Sequence, residues 1–239
     1  MNSGFSDVER LRRGDLAGCD LHGLDLRGYN LREADLREAN LSDCDLREVD
    51  FWGADLTGAD LTRANARLVS MQGANLEGAQ LVEANLWGGN FKVAVLRNAY
   101  LMAAVIAQAD LPGAICDGAN FSGCNMFGAD LRLASLQNAN LGRADLSSGR
   151  LDSANFAGAN LREVEMLNAS ARGANFSRCD FSGARLEDST LAGADLTGAD
   201  FREADLKDVL LREATVHDTI MPDGTVTSEC MKEWAPAPE

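Results

Sequence analysis

Histidine, cysteine and aspartate are the residue types here that could do chemistry, so their spacing is weighed first. Histidine occurs twice, as His22 and His217, near opposite ends of the chain. A metal centre or an acid–base relay needs several such groups in reach of one another, and this pair offers none. Cysteine occurs six times, as Cys19, Cys44, Cys116, Cys124, Cys179 and Cys230, and no CxxC is present. Aspartates recur at fixed spacing, and Asp15, Asp35 and Asp55 are 20 apart. Stacked carboxylates could attract a divalent cation, but so regular a series reads as turn-forming residues in solvent. No glycine-rich phosphate cradle occurs. We expect no catalytic residue, no metal and no cofactor, and therefore not an enzyme.

The regularity that disqualifies the aspartates organises the whole chain. Ala194–Asp205 reads ADLTGADFREAD: a small residue, Asp or Asn, Leu or Phe, then two freer positions. Every residue from 16 to 216 whose number ends in 1 or 6 is the centre of such a unit, which makes 41 consecutive pentapeptides. Leu fills most centres. Phe takes 51, 91, 121, 156, 176, 181 and 201, and Met takes 71, 126 and 166. A period of five gives no stripe on an α-helix, and on a strand it alternates faces. It becomes coherent only if the chain turns a corner every five residues, so that centres and small residues point inward on every side. Four sides close a coil of 20, and coils stack. Ala66 and Ala171 underfill their centres; we expect a dent or local repacking there.

In this register five cysteines take inward positions: Cys116 at a centre, and Cys19, Cys44, Cys124 and Cys179 at the small position. None are 20 apart, so they read as core filler and not as disulfides or ligands. Asp and Asn suit the corners through bonds to nearby backbone, and Gly is frequent two residues after the centre, where the turn is tightest. Leu24 and Tyr29 replace the small residue early, and we expect them to fill a wider first coil.

The motif resembles that of the pentapeptide repeat family, A(D/N)LXX, over about 200 of the 239 residues. The resemblance implies an all-β solenoid, a right-handed quadrilateral β-helix of about ten coils. At a spacing of ~4.8 Å per coil the rod is about 50 Å long. Residues 1–13 form an expected N-terminal cap, in which Ser6 and Glu9 make a capping box for a short helix. Residues 14–218 are the β-helix. Residues 219–239 are an expected C-terminal cap and disordered tail, opening on the turn Met221-Pro222-Asp223-Gly224.

The net charge is −15, which disfavours direct binding to nucleic acid or an anionic membrane. No apolar run is long enough to span a bilayer, and the first residues lack the apolar core of a secretory leader. A cytoplasmic location is expected. The charge is uneven: residues 1–80 carry 9 basic and 15 acidic groups (−6), residues 81–160 carry 5 and 6 (−1), and residues 161–239 carry 8 and 16 (−8). Arg32-Glu33, Arg37-Glu38 and Arg47-Glu48 suggest weak surface ion pairs. In the near-neutral middle, outward positions turn apolar. Val95, Tyr100, Val105 and Ile115 stand where Asp or Asn belongs, and Trp87 and Phe127 follow their centres. These six are the candidate partner-binding residues, for docking or self-association.

Two functions are weighed. One is a noncatalytic protein–protein interaction scaffold or regulator, a monomer or weak homodimer, since solenoids offer preformed surfaces. The run Thr219–Val226 is similar to the one that follows the last coil in some cyanobacterial members. The other is a DNA mimic that binds DNA gyrase, as the resemblance to the fluoroquinolone-resistance branch implies, with Asp195, Asp200 and Asp205 carrying the contact. Duplex DNA carries one charge per ≈1.7 Å, whereas −15 over about 50 Å is one per about 3.3 Å. That branch also dimerises through a C-terminal helix and often carries loops between coils; this chain ends in a short tail and has no loop. Scaffold is the preferred reading.

Overall fold

The computed structural model describes residues 14–227; the expected capping helix over 7–13 and the segment around Cys230 and Trp234 lie outside them. The chain is a β-helix solenoid. Parallel bridges join residue n to residue n+20 at every fifth position, from Asp15↔Asp35 to Asp200↔Ile220. Between bridges the chain turns. The carbonyl of nearly every centre accepts the amide three residues on, as from Ala39 to Leu36 at 3.0 Å and from Ala119 to Cys116 at 3.1 Å; at Met166 the Ala169 amide goes instead to Ser189 Oγ at 2.9 Å. The third residue of the turn takes positive φ at all 41 corners, from 53° at Val93 to 72° at Gly158. This is type II geometry. Glycine holds 17 of those 41 places, where a left-handed φ carries no steric cost.

The backbone accounting of one unit explains the motif. In residues 34–38, the Asp35 amide bonds back to Gly14 (2.7 Å), and those of Leu36 and Glu38 bond forward to Asp55 (2.7 Å) and Thr57 (2.9 Å). Ala34 closes the preceding turn. Only the Arg37 amide lacks a backbone acceptor, and it donates to the Asp35 carboxylate at 3.3 Å. The Asp or Asn thus sits in the middle of a side, and its side chain reaches forward to cap the corner. The same bond recurs at Asn30–Arg32, Asp55–Thr57, Asn120–Ser122 and Asp195–Thr197.

All centres from Leu16 to Met221 are buried, none more than 8% exposed. Ala66 and Ala171 are fully enclosed as well. In the last third, phenylalanines form two stacks: Phe156 on Phe176 (ring centroids 4.9 Å) and Phe181 on Phe201 (4.6 Å), linked edge-on by Phe176 and Phe181 (5.2 Å). Leu24 and Tyr29 are not core: they are 44% and 46% exposed, on the first described coil. After the last corner, β1 (Thr219–Ile220) pairs antiparallel with β2 (Val226–Thr227), and Met221–Gly224 make the turn between them.

We number the four sides in chain order. Mid-side residues 15, 35 and so on lie on side 1, those at 20 and 40 on side 2, those at 25 and 45 on side 3, and those at 30 and 50 on side 4. Sides 1 and 3 are opposite.

Candidate docking site

The inward chemistry is silent. Cys19, Cys44, Cys116, Cys124 and Cys179 are buried free thiols. Burial pushes the Cys124 and Cys179 thiols up to about 12 and also raises those of Cys44 and Cys116. Three of them donate Sγ–H to a centre carbonyl one coil back: Cys44 to Leu21 (2.9 Å), Cys124 to Leu101 (2.7 Å) and Cys179 to Phe156 (3.0 Å). Ser189 and Thr219 do the same at Met166 and Leu196. The small position therefore admits a weak donor as readily as a methyl. Among the described residues no group of His, Cys, Asp and Glu is placed to hold a metal ion, and no helix is long and apolar enough to cross a membrane.

One arrangement has the composition of a catalytic triad. His22 Nδ1 lies 3.0 Å from Ser42 Oγ and 3.7 Å from an Asp43 carboxylate oxygen. Both partners crowd the same ring nitrogen, whereas a relay needs the hydroxyl on one nitrogen and the carboxylate on the other. Ser42 also donates to Asn40 Oδ1 at 2.5 Å. No activated nucleophile results.

Most surface arginines are paired with carboxylates, but not through the expected neighbours. Arg37 and Arg47 turn back to Asp35 and Asp45, each with Nη2–Oδ2 at 2.6 Å, and leave Glu38 and Glu48 aside. Arg32 crosses to Asp50 at 3.0 Å. The arginine two residues after a mid-side Asp shares its side of the corner, whereas the next residue, at positive φ, points away. Arg27–Asp25, Arg132–Asp130 and Arg202–Asp200 repeat the fork. The Arg27 guanidinium holds the Asp25 carboxyl down at about 2, and Arg37 depresses Asp35 by the same bond. A groove of about 300 Å³ at the corner of sides 2 and 3 is lined by Arg162, Glu163, Ser182, Gly183, Arg202 and Glu203. Its arginines are taken by Asp180 (3.1 Å) and Asp200 (2.5 Å), so it offers an anion no free cation.

The six candidate residues do not share one surface. Trp87, Val105 and Phe127 come together on side 3 and its corner with side 4. Ala107 lies between the two aromatics and Leu68 one coil before Trp87. Leu68, Trp87 and Phe127 are 50%, 36% and 44% exposed. Val95 and Ile115 bridge each other on side 1, opposite, and Tyr100 lies on side 2. Trp87 is steadied by the Arg67 guanidinium, 4.9 Å above its ring, a cation–π contact. At the same repeat Asn65 Oδ1 is buried without a partner. Sequence reasoning missed Leu68; counting forward one corner from Ala66 would have found it.

The apolar replacements also undo the corner caps. Val95, Val105 and Ile115 have no side-chain oxygen for the amides of Arg97, Ala107 and Asp117, and the Tyr100 phenol does not reach that of Met102. Those amides have no acceptor among the described residues. Each missing net bond forgoes about 0.5–1.5 kcal/mol, so the apolar middle is bought against stability.

With this geometry in hand, comparison with known proteins is direct. The profile of the family described as pentapeptide repeats matches in eight copies between residues 15 and 218. The chain belongs to the pentapeptide repeat family. Curated proteins give no match. Among solved structures it is similar to HetL, a pentapeptide repeat protein involved in heterocyst differentiation regulation from the cyanobacterium Nostoc sp. strain PCC 7120. That match has 30% identity over 95% of this chain and 100% of the other, at a TM-score of 0.59. A trypsin-treated variant of QnrB1, a plasmid-mediated fluoroquinolone resistance protein, aligns at 24% identity over 80% of this chain and 90% of its own, also at 0.59. The second match shows the fold alone.

Proposed function

We propose that this protein is a noncatalytic interaction scaffold, a right-handed rod of about ten coils that docks a partner protein along the corner between sides 3 and 4. The carrying observation is the ridge Leu68–Trp87–Phe127, with the half-buried Val105 beside it: large apolar side chains exposed along one corner of a rod whose interior is already filled. A filled core leaves no folding reason for an outward Trp and Phe. Aromatic side chains of this kind dominate interface energetics, and a solenoid presents them with little ordering cost. The likeness to HetL supports a regulatory setting. The expected cytoplasmic location fits this reading and forms part of it.

Trp87→Ser/Phe127→Ser is expected to lower retention of the bound partner on the immobilised full chain at least tenfold. The melting curve should stay within about 0.5–1 kcal/mol of wild type, as for surface changes. Partner retained at wild-type strength would sink the ridge; a collapsed melting curve would show that the rings are packed.

The DNA-mimic reading stays second. The carboxylates at Asp25, Asp35, Asp45, Asp130 and Asp200 are each forked by an arginine, so these five are not free to stand in for phosphates. A gyrase supercoiling assay with and without a fluoroquinolone should show neither inhibition nor protection; if it shows either, Asp195→Lys and Asp200→Lys should abolish it.

A further inference from the structure

We propose that side 1 binds a second copy of this chain, antiparallel and face to face, about a two-fold axis that crosses the side between the levels of Val95 and Ile115. The docking ridge on the far corner is left free. In such a pair each column of side 1 meets itself reversed, so a residue n on one copy faces 210 − n along the middle column, which is testable position by position.

The middle column satisfies this pairing over its four innermost pairs, and the outermost, Asp15 with Asp195, sets like charges together. Val95 and Ile115, stacked neighbours in one chain and the only aliphatic pair on the column, face each other across the axis. Asn75 then faces Ser135. Asp55 and Asp35 face Asn155 and Asn175, so the carboxylates of one half meet amide donors of the other. The flanking corners agree. Arg97 faces Asp117, opposite charges that within one chain only approach at 4.0 Å. Farther out, Glu38 faces Arg178.

Shape follows the same rule. On the corner of sides 4 and 1, Val93 (59% exposed) and Leu133 (70%) project, while positions 73 and 113 are glycine. Reversal sets Val93 against Gly113 and Leu133 against Gly73, knob against gap. On the corner of sides 1 and 2, Asn98 meets Gly118 and Gly78 meets Asn138. Val93 carries a second sign of selection. It is β-branched and held at φ 53°, a conformation that disfavours such residues and persists where surroundings or function require it. It leans toward Gly113, with Cγ1 3.4 Å from where a Cβ would sit, which brings the two Val93 side chains together at the axis.

Neighbouring registers fail. Sliding the partner by one coil, which moves the axis half a coil toward the N-terminus, sets Arg97 against Arg97, and the same slide the other way sets Asp117 against Asp117 and Val93 against Leu133. A parallel pair sets Asp35 and Asp55 against their own copies. The contact strip is three residues wide, about 10 Å, and about eight coils long, roughly 40 Å, which puts it at the small end of specific interfaces. A dimer in the micromolar range is expected.

The test uses the full chain with Cys230→Ser, its other cysteines being buried. Sedimentation across the micromolar range should show reversible dimerisation. Arg97→Asp should weaken it at least tenfold, and adding Asp117→Arg should restore it. A short bis-maleimide should link Val93→Cys into dimers. It should not link Leu133→Cys, whose counterpart lies about three coils (~14 Å) along the rod. Trp87→Ser/Phe127→Ser should dimerise normally. A monomer at every concentration, linkage at position 133 instead of 93, or loss of dimer in the ridge variant would overturn the proposal.

Discussion

Phe181→Ala is expected to destabilise the rod by about 3–5 kcal/mol and to melt the last third ahead of the rest. Phe181 is fully buried and touches both aromatic stacks, Phe201 face to face at 4.6 Å and Phe176 edge-on at 5.2 Å. Truncation therefore opens a hole bounded by two rings that cannot turn in to fill it, because each is fixed by its own column. Coils couple mainly to nearest neighbours, so the loss should be local before it is global. Phe181→Leu, the residue found at most other centres, keeps much of the volume and should cost under about 1.5 kcal/mol. Denaturant melts followed by circular dichroism, with proteolysis to locate the first opening, measure both. A cost below about 1 kcal/mol for the alanine variant would mean that the stacks are not what holds these coils.

A larger effect is expected from a single deletion. Removing Gly58 moves Asp60 into the inward slot that Ala59 now fills and turns Leu61 out to the mid-side position; downstream coils either follow or break the corner. An unpaired carboxylate in a slot lined by Ala and Leu costs several kcal/mol, and every shifted unit repeats the conflict. The variant should fail to fold beyond that corner. Deleting residues 57–76 whole removes 20 times as many residues, yet it joins Leu56 to Glu77 in register, and Asp55 can then bridge Val95 as it now bridges Asn75. That variant should give the same circular dichroism spectrum with one coil less. If the one-residue deletion folds as well as the 20-residue one, the period-20 ladder is not the organising contact.

The period is what made so much of this molecule legible. Once Leu36, Leu56 and Leu76 are seen to be 20 apart, the inward columns, the fate of five cysteines and the glycine corners follow by counting. What counting did not supply was direction within a unit. Asp35 looks like a corner residue, yet it stands mid-side and caps the corner through its side chain. Arg37 lies beside Glu38 in sequence, yet it forks to Asp35, because positive φ at position 38 turns the glutamate away. Leu24 and Tyr29 hold the register of an inward position yet are exposed, because burial needs a neighbouring coil to close over the side chain, which the register alone does not reveal. The candidate site was half legible. Its residues are visible as departures from the motif, but along the sequence they form one central band. The four-sided coil divides them: Val95 and Ile115 face away from Val105, and only the latter joins Trp87 and Phe127.

The scaffold reading turns on whether a partner touches the ridge, and site-specific photocrosslinking tests that most directly. A benzophenone side chain at the exposed corner position Gln108, beside Ala107 and between the two aromatics, is compared with one at Asp195 on the acidic end, in cells of the source organism. The account predicts one heterologous protein crosslinked from position 108, lost in the Trp87→Ser/Phe127→Ser background, and no specific product from position 195. Crosslinking to a topoisomerase from position 195, with nothing from 108, would contradict it.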